Sequence, residues 1–138
     1  MALPSEKLVL LVDDDESLLD LMEHVVKKEG FRTDRAAEGP EALRKAQALN
    51  PDLMILDMML PGIGGFEVVR QLQASGHGDI PVILVTGRVL DPGGIELIQQ
   101  ESNVKLFLQK PIRPSELAAS IHLFLGTRSS SSPSAPGA

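Results

Sequence analysis

The sequence predicts a doubly wound α/β fold, with five parallel strands covered by helices on both faces. Two observations carry this. Aliphatic runs of strand length alternate with segments of helical period along most of the chain. The hydrophobic fraction is 43% of 138 residues, yet there are only four Phe and no Trp or Tyr, so the core must be built from aliphatic side chains. Strands alternating with helices need right-handed crossovers, which make neighbouring strands parallel. The length fits one domain, and there is no internal repeat at a fixed period.

Leu8 to Val12 is a continuous aliphatic run and reads as the first strand. Ser17 to Glu29 follows as a helix with Leu18, Leu21, Met22, Val25 and Val26 on one face, closed by Gly30. Phe31 to Arg35 is a short polar strand, suited to an edge. Pro40 opens a second helix in its first turn; Leu43, Ala46 and Leu49 form its stripe, and Asn50-Pro51 ends it. Leu53 to Leu56 is the third strand, and Gly64 and Gly65 precede a helix carrying Phe66, Val69 and Leu72. Pro81 to Val85 is the fourth strand, and Pro92 begins a weaker helix through Gln100, with Asn103 set to cap its end in the left-handed region. Val104 to Leu108 is the fifth strand. Pro114 starts the last helix, with Leu117, Ala118, Ile121, Phe124 and Leu125 inward and Gly126 as terminator. Residues 1–126 thus form one domain. Thr127 to Ala138, rich in Ser and Pro, has no large apolar side chain and is expected to be a flexible tail or linker.

Composition excludes several functions. A net charge of −6 and so few aromatic rings remove both the basic field and the stacking surfaces of general nucleic-acid binding. Without cysteine there is no disulfide framework, zinc knuckle or thiol chemistry. No apolar run approaches the roughly 18 residues of a membrane span, and Met1 to Lys7 lacks the features of a signal peptide. The expectation is a cytoplasmic protein.

In an open parallel sheet, ligands bind beyond the carboxyl ends of the strands. Asp13, Asp14, Asp15 and Glu16 follow the first strand, Asp57 follows the third, Thr86 the fourth, and Lys110 the fifth after Gln109. If Asp13, Asp14 and Asp57 converge, each carboxylate pair about 4 Å apart repels by roughly 4 kcal/mol at an effective dielectric near 20. Lys110 offsets one charge, and a hard divalent cation is the natural partner for the rest. Mg²⁺ suits an all-oxygen site with few protein ligands better than Ca²⁺, and the absence of Cys or suitably spaced His argues against zinc. A carboxylate beside Mg²⁺, a lysine and a hydroxyl is equipment for covalent phosphoryl transfer. Asp15 and Glu16 are better suited to starting the first helix, where its dipole favours anions. His24, His77 and His122 are scattered and are not expected to be ligands. Gly62, Gly64 and Gly65 are expected to shape the loop beside Asp57.

Four motifs, LVLLVDDDE, DLMILDMMLPGIGG, IPVILVTG and LFLQKP, occur in this order. Over about Lys7 to Gly126 they resemble the receiver domain of two-component response regulators, the CheY-like superfamily. That resemblance implies a flavodoxin-like sheet of strand order 2-1-3-4-5 and a cis Lys110-Pro111 bond. It implies phosphorylation of Asp57, direct Mg²⁺ ligation by Asp14, Asp57 and the Met59 carbonyl, help from Asp13 through water, and phosphoryl binding by Thr86 and Lys110. Phe107 matches the aromatic switch position and equally reads as a plain core side chain. Gly87 replaces the usual Ala after the threonine, and Asn103-Val104 replaces the usual Gly-Ala before the fifth strand. The implied partner is a sensor histidine kinase or a histidine phosphotransfer protein, with a phosphorylation-dependent homodimer as a further option. The implied role is signalling rather than enzymatic. Two alternatives stand beside it: a haloacid dehalogenase-like phosphohydrolase, suggested by Asp13-x-Asp15, Thr86 and Lys110, and a pseudo-receiver that binds partners without being phosphorylated.

Overall fold

Continuous aliphatic runs have no polar face to offer water, so they are stable as strands only when both faces are covered. In a computed structural model, which describes residues 3–87, 96 and 100–128, these runs form β1 (Leu8–Val12), β3 (Leu53–Asp57) and β4 (Val82–Thr86). The more polar segments form β2 (Arg32–Ala36) and β5 (Val104–Gln109) at the edges. The sheet is parallel with order β2-β1-β3-β4-β5, as the resemblance implied. Described helices are α1 (Glu16–Lys28), α2 (Gly39–Leu49), α3 (Gly65–Ala74) and α4 (Pro114–Leu125), with a short 3₁₀ turn at Pro4–Glu6. Most of the helix expected from Pro92 through Gln100 lies outside the described residues, which include only Glu96 and Gln100 of it.

Side chains alternate between the two faces of each strand. Val9, Leu11, Leu53, Ile55, Ile83, Val85 and Leu108 pack against α1 and α4 through Leu19, Met22, Val26, Leu117 and Ile121. Leu10, Val12, Met54, Leu56, Val82 and Leu84 pack against α2 and α3 through Ala42, Ala46, Val68, Val69 and Leu72. Both core layers are mainly aliphatic, as the composition requires; Phe31 is the buried aromatic among their described residues.

The helical stripes differ from the sequence reading in detail. In α1 the buried line is Leu19, Met22 and Val26, while Leu21 is 43% exposed. In α2 it is Gly39, Ala42 and Ala46, while Leu49 is 43% exposed. Size misled the assignment: angular position decides what faces the sheet, and in α2 that line carries only small side chains. In α4, Ser120 and His122 are buried where Ala118, Phe124 and Leu125 are only partly so.

Two termini also need correcting. Asn103 does not adopt the left-handed conformation expected of it; among described non-glycine residues, Asn50 does, with φ 47° at the end of α2. Asn103 is instead buried: its Oδ1 accepts from Gln73 Nε2 at 2.7 Å and its carbonyl accepts from Val82 N at 2.7 Å, which ties β5 to β4 and α3. Thr127, assigned to the tail by composition, is buried and its Oγ1 lies 2.7 Å from Nδ1 of His122. Arg128 is exposed, and residues 129–138 lie outside the described part. No helix among the described residues is long and apolar enough to cross a membrane.

Candidate phosphoacceptor and metal site

Because the strands are parallel, the residues that follow β1, β3, β4 and β5 all emerge on one edge. Asp13 leaves β1 with its N–H donating to the Ala36 carbonyl at 3.1 Å, and its Oδ1 accepts from Asp15 N at 2.9 Å. Asp15 in turn caps α1, accepting from Leu18 N at 3.2 Å, the role expected of it. Asp57 is the last residue of β3, and its Oδ1 accepts from Met59 N at 3.1 Å. Lys110 is held by its N–H donating to the Thr86 carbonyl at 2.8 Å, and the Lys110-Pro111 bond is cis, as the resemblance implied. Its ammonium lies 3.1 Å from Asp13 Oδ2 and 3.6 Å from Asp57 Oδ2.

Oxygens of Asp13, Asp14 and Asp57 all lie within 4.8 Å of one another. Asp13 and Asp57 are 1% and 2% exposed, while Asp14 faces solvent. Burial raises the Asp13 carboxyl above its usual 3.8, and the nearby Asp57 charge adds to this; the Asp15 N–H and Lys110 oppose it without cancelling it. Burial works against the Lys110 ammonium as well, but the polar contact and charge of Asp13, with the charge of Asp57, hold it above 10.5. Lys110 therefore stays charged, and among the described residues it is the cation that meets this carboxylate cluster.

This donor set fits a hard divalent cation. It is all oxygen, it combines two buried carboxylates with an exposed one, and among the described residues Asp13 Oδ2 has no aligned hydrogen-bond donor beyond its ion pair with Lys110. Buried oxygens left short of donors are costly unless a cation supplies the missing charge.

Of the other expected site residues, Thr86 is buried at the end of β4, opposite Gln109 in the register. Met59 is half-exposed and touches the pocket through its peptide N–H. Phe107 is half-buried on β5 against the layer formed with α2 and α3. Among the described residues, a Cβ at Gly87 would meet Lys110 Cδ at an ordinary 3.7 Å. Gly65 is different: a Cβ would lie 2.6 Å from the Asp57 carbonyl oxygen and 2.9 Å from Met58 Cα. Its hydrogen lets α3 start directly against the strand end that carries Asp57. The sequence marked Gly65 as a loop former; that its missing side chain faces Asp57 had no sequence signal.

An open parallel sheet of this order, with acidic residues and a lysine converging beyond its strand ends, defines a receiver-type fold. The chain belongs to the response regulator receiver domain family, whose pattern matches residues 9–122. It is 36% identical over 113 residues to the DNA-binding response regulator MtrA of Mycobacterium tuberculosis, covering 82% of this chain and 48% of that protein. It is 37% identical over 117 residues to the sensory transduction protein RegX3 of Mycolicibacterium smegmatis, covering 85% and 50%. The chain spans about half the length of these curated relatives. Similar solved structures include a CheY-like response regulator receiver domain protein from Methanospirillum hungatei (TM-score 0.79, 26% identity, 91% of this chain and 95% of that one). The chemotaxis protein CheY4 of Vibrio cholerae is similar as well (TM-score 0.78, 28% identity, 89% and 99%).

Proposed function

We propose that this receiver accepts a phosphoryl group on Asp57 from a phosphohistidine of a sensor histidine kinase or histidine phosphotransfer protein, with Mg²⁺ as cofactor. The observation that carries this is Lys110, whose ammonium reaches both Asp13 and Asp57 in a pocket that also holds Asp14. An Asp57 carboxylate oxygen attacks phosphorus, the phosphorus–nitrogen bond breaks, and the departing imidazole keeps the electron pair and takes up a proton. Lys110 and the Thr86 hydroxyl hold the phosphoryl oxygens. Asp14, Asp57 and the Met59 carbonyl would hold Mg²⁺ with help from Asp13 through water, and the ion would supply charge neutralisation on the phosphoryl oxygens.

The chain then acts as a phosphorylation-controlled signalling module rather than as an enzyme on an external substrate, and Phe107 serves as the side chain that reports the modified state. The tail after Thr127 serves as a linker, and the protein works in the cytoplasm. The MtrA relative is described as DNA-binding, while the charge of this chain does not favour direct nucleic-acid contact. A phosphohydrolase built on Asp13 would leave Asp57 without a task, and a pseudo-receiver would leave the carboxylate cluster and its lysine without one.

Acetyl phosphate with Mg²⁺ should label the wild-type chain once and leave Asp57→Ala unlabelled. Undiminished labelling of Asp57→Ala would overturn the assignment. Multiple turnover of a phosphate ester lost in Asp13→Asn and retained in Asp57→Asn would favour the phosphohydrolase.

A further inference from the structure

Gly39, the first residue of α2, is buried against the loop that follows Asp57. A Cβ there would lie 2.4 Å from Ile63 Cγ1, 2.8 Å from its Cδ1 and 3.1 Å from its carbonyl oxygen. The conformation of Gly39 is ordinary for a helix start, so backbone freedom is not what glycine supplies here. Space is. Ile63 occupies the volume that any other residue at position 39 would fill.

The loop carrying Ile63 is closed on itself. Met58 N donates to the Val85 carbonyl at 2.8 Å, and the Met58 carbonyl accepts from Gly65 N at 3.0 Å. Between these anchors Met59 N donates to Asp57 Oδ1. The outer part of this ring is held by Ile63, which packs with the α2 and α3 core layer. The segment leading into Gly39 bears on the other wall of the pocket, since the Ala36 carbonyl accepts from Asp13 N and Ala37 N donates to Glu41 Oε1 at 2.8 Å. One short stretch, Ala36 to Gly39, therefore touches the backbone of Asp13 at one end and the loop after Asp57 at the other.

We infer that Gly39 and Ile63 form a steric seat that sets the distance between the Asp13 wall and the Met59 peptide, making Gly39 a positioning residue for the cation site. This rests on the Mg²⁺ reading of the pocket. A side chain at position 39 forces Ile63 out of its rotamer or drives the loop outward, and a tightly packed site yields poorly to such insertion. Asp13 and Asp14 after β1 and Asp57 at the end of β3 keep their places; what shifts is the loop between Asp57 and α3.

The test uses the full chain, titrated with Mg²⁺ alone and followed by NMR amide shifts, alongside acetyl phosphate labelling and thermal melting. Gly39→Ala should weaken Mg²⁺ binding about tenfold, in the range seen when supports of metal ligands are disturbed. Adding Ile63→Ala in the same chain removes the clashing side chain, so the double variant should bind Mg²⁺ no more weakly than Ile63→Ala alone. Wild-type affinity in Gly39→Ala overturns the inference. So does a lowered melting temperature with unchanged affinity, which would make Gly39 a matter of folding only. If Gly39→Ala does not fold, Ile63→Ala alone decides: the emptied seat should loosen the loop and weaken Mg²⁺ binding several-fold, and unchanged affinity rejects the seat. A wild-type chain that neither binds Mg²⁺ nor is labelled would overturn the reading of the pocket itself, an outcome separate from any result on Gly39.

Discussion

His122 Nε2 and Glu29 Oε1 lie 2.8 Å apart in the interior, although 93 residues separate them along the chain. The other ring nitrogen meets Thr127 Oγ1 at 2.7 Å, and the imidazole packs on Phe31 with centroids 5.0 Å apart and planes inclined at 45°. The end of α1, the start of β2 and the end of α4 are thereby joined by one side chain.

Replacing His122 by Leu should lower the unfolding free energy by about 1–3 kcal/mol, because a buried polar partner is lost at Glu29 and another at Thr127. Glu29→Gln should cost less, since its amide still offers a hydrogen bond to the ring. Urea denaturation followed by far-ultraviolet circular dichroism measures both; the chain has no Trp or Tyr to report by fluorescence. Equal losses in the two variants would contradict the hydrogen-bonded description.

Mg²⁺ should raise the melting temperature. Binding to the folded state at tenfold excess over Kd contributes about 1.4 kcal/mol. Without the cation, the raised Asp13 pKa means that the folded chain holds its proton more tightly than the unfolded one. Stability therefore falls as pH rises from about the unfolded value of 3.8 through the raised folded value. Asp13→Asn removes this penalty, so the metal-free variant should melt higher than the metal-free wild type at neutral pH and respond less to Mg²⁺. Calorimetric scans with chelator and with millimolar Mg²⁺ test both signs; a variant that melts lower in chelator would refute the electrostatic argument.

Asp34 on β2 behaves in the opposite sense. Partial burial pushes its carboxyl up, but the Arg35 N–H at 2.7 Å and the Lys45 ammonium at 3.1 Å more than offset this and hold it below 3.8. Its contribution is fully present above 3.8 and is lost as pH falls through the lowered folded value. Asp34→Asn should therefore flatten the acid limb of the stability profile below about pH 4. The effect should be small and should shrink with added salt, because the side chain is more than a third exposed. Denaturation curves at low and high ionic strength across that limb provide the check; an unchanged limb would show that the pairing does not matter.

The strands were legible because an aliphatic run fails in water wherever it is not covered, so Leu8–Val12, Leu53–Asp57 and Val82–Thr86 lie within a residue or so of their expected bounds. The site carboxylates were legible for a related reason: a charged residue directly after such a run can only stand at the sheet edge. The helical faces were less so. Leu21 and Leu49 are as apolar as the residues buried beside them, and only the rotation of each helix on the sheet left them outside. Gly39 gave no hint of its role, and Gly65 showed only as a loop former, because the close contact an absent side chain permits has no pattern in a sequence.

Local composition and order thus determined that this chain makes a parallel α/β sheet, where each strand ends, and which charged residues reach its carboxyl edge. The tertiary structure decided the distances: that Lys110 lies between Asp13 and Asp57, that His122 finds Glu29, and that Ile63 fills the space Gly39 leaves open. Strand-forming and helix-forming tendencies act within a few residues, whereas a contact between distant segments depends on how whole helices rotate and settle on the sheet, and no short stretch of sequence encodes that angle.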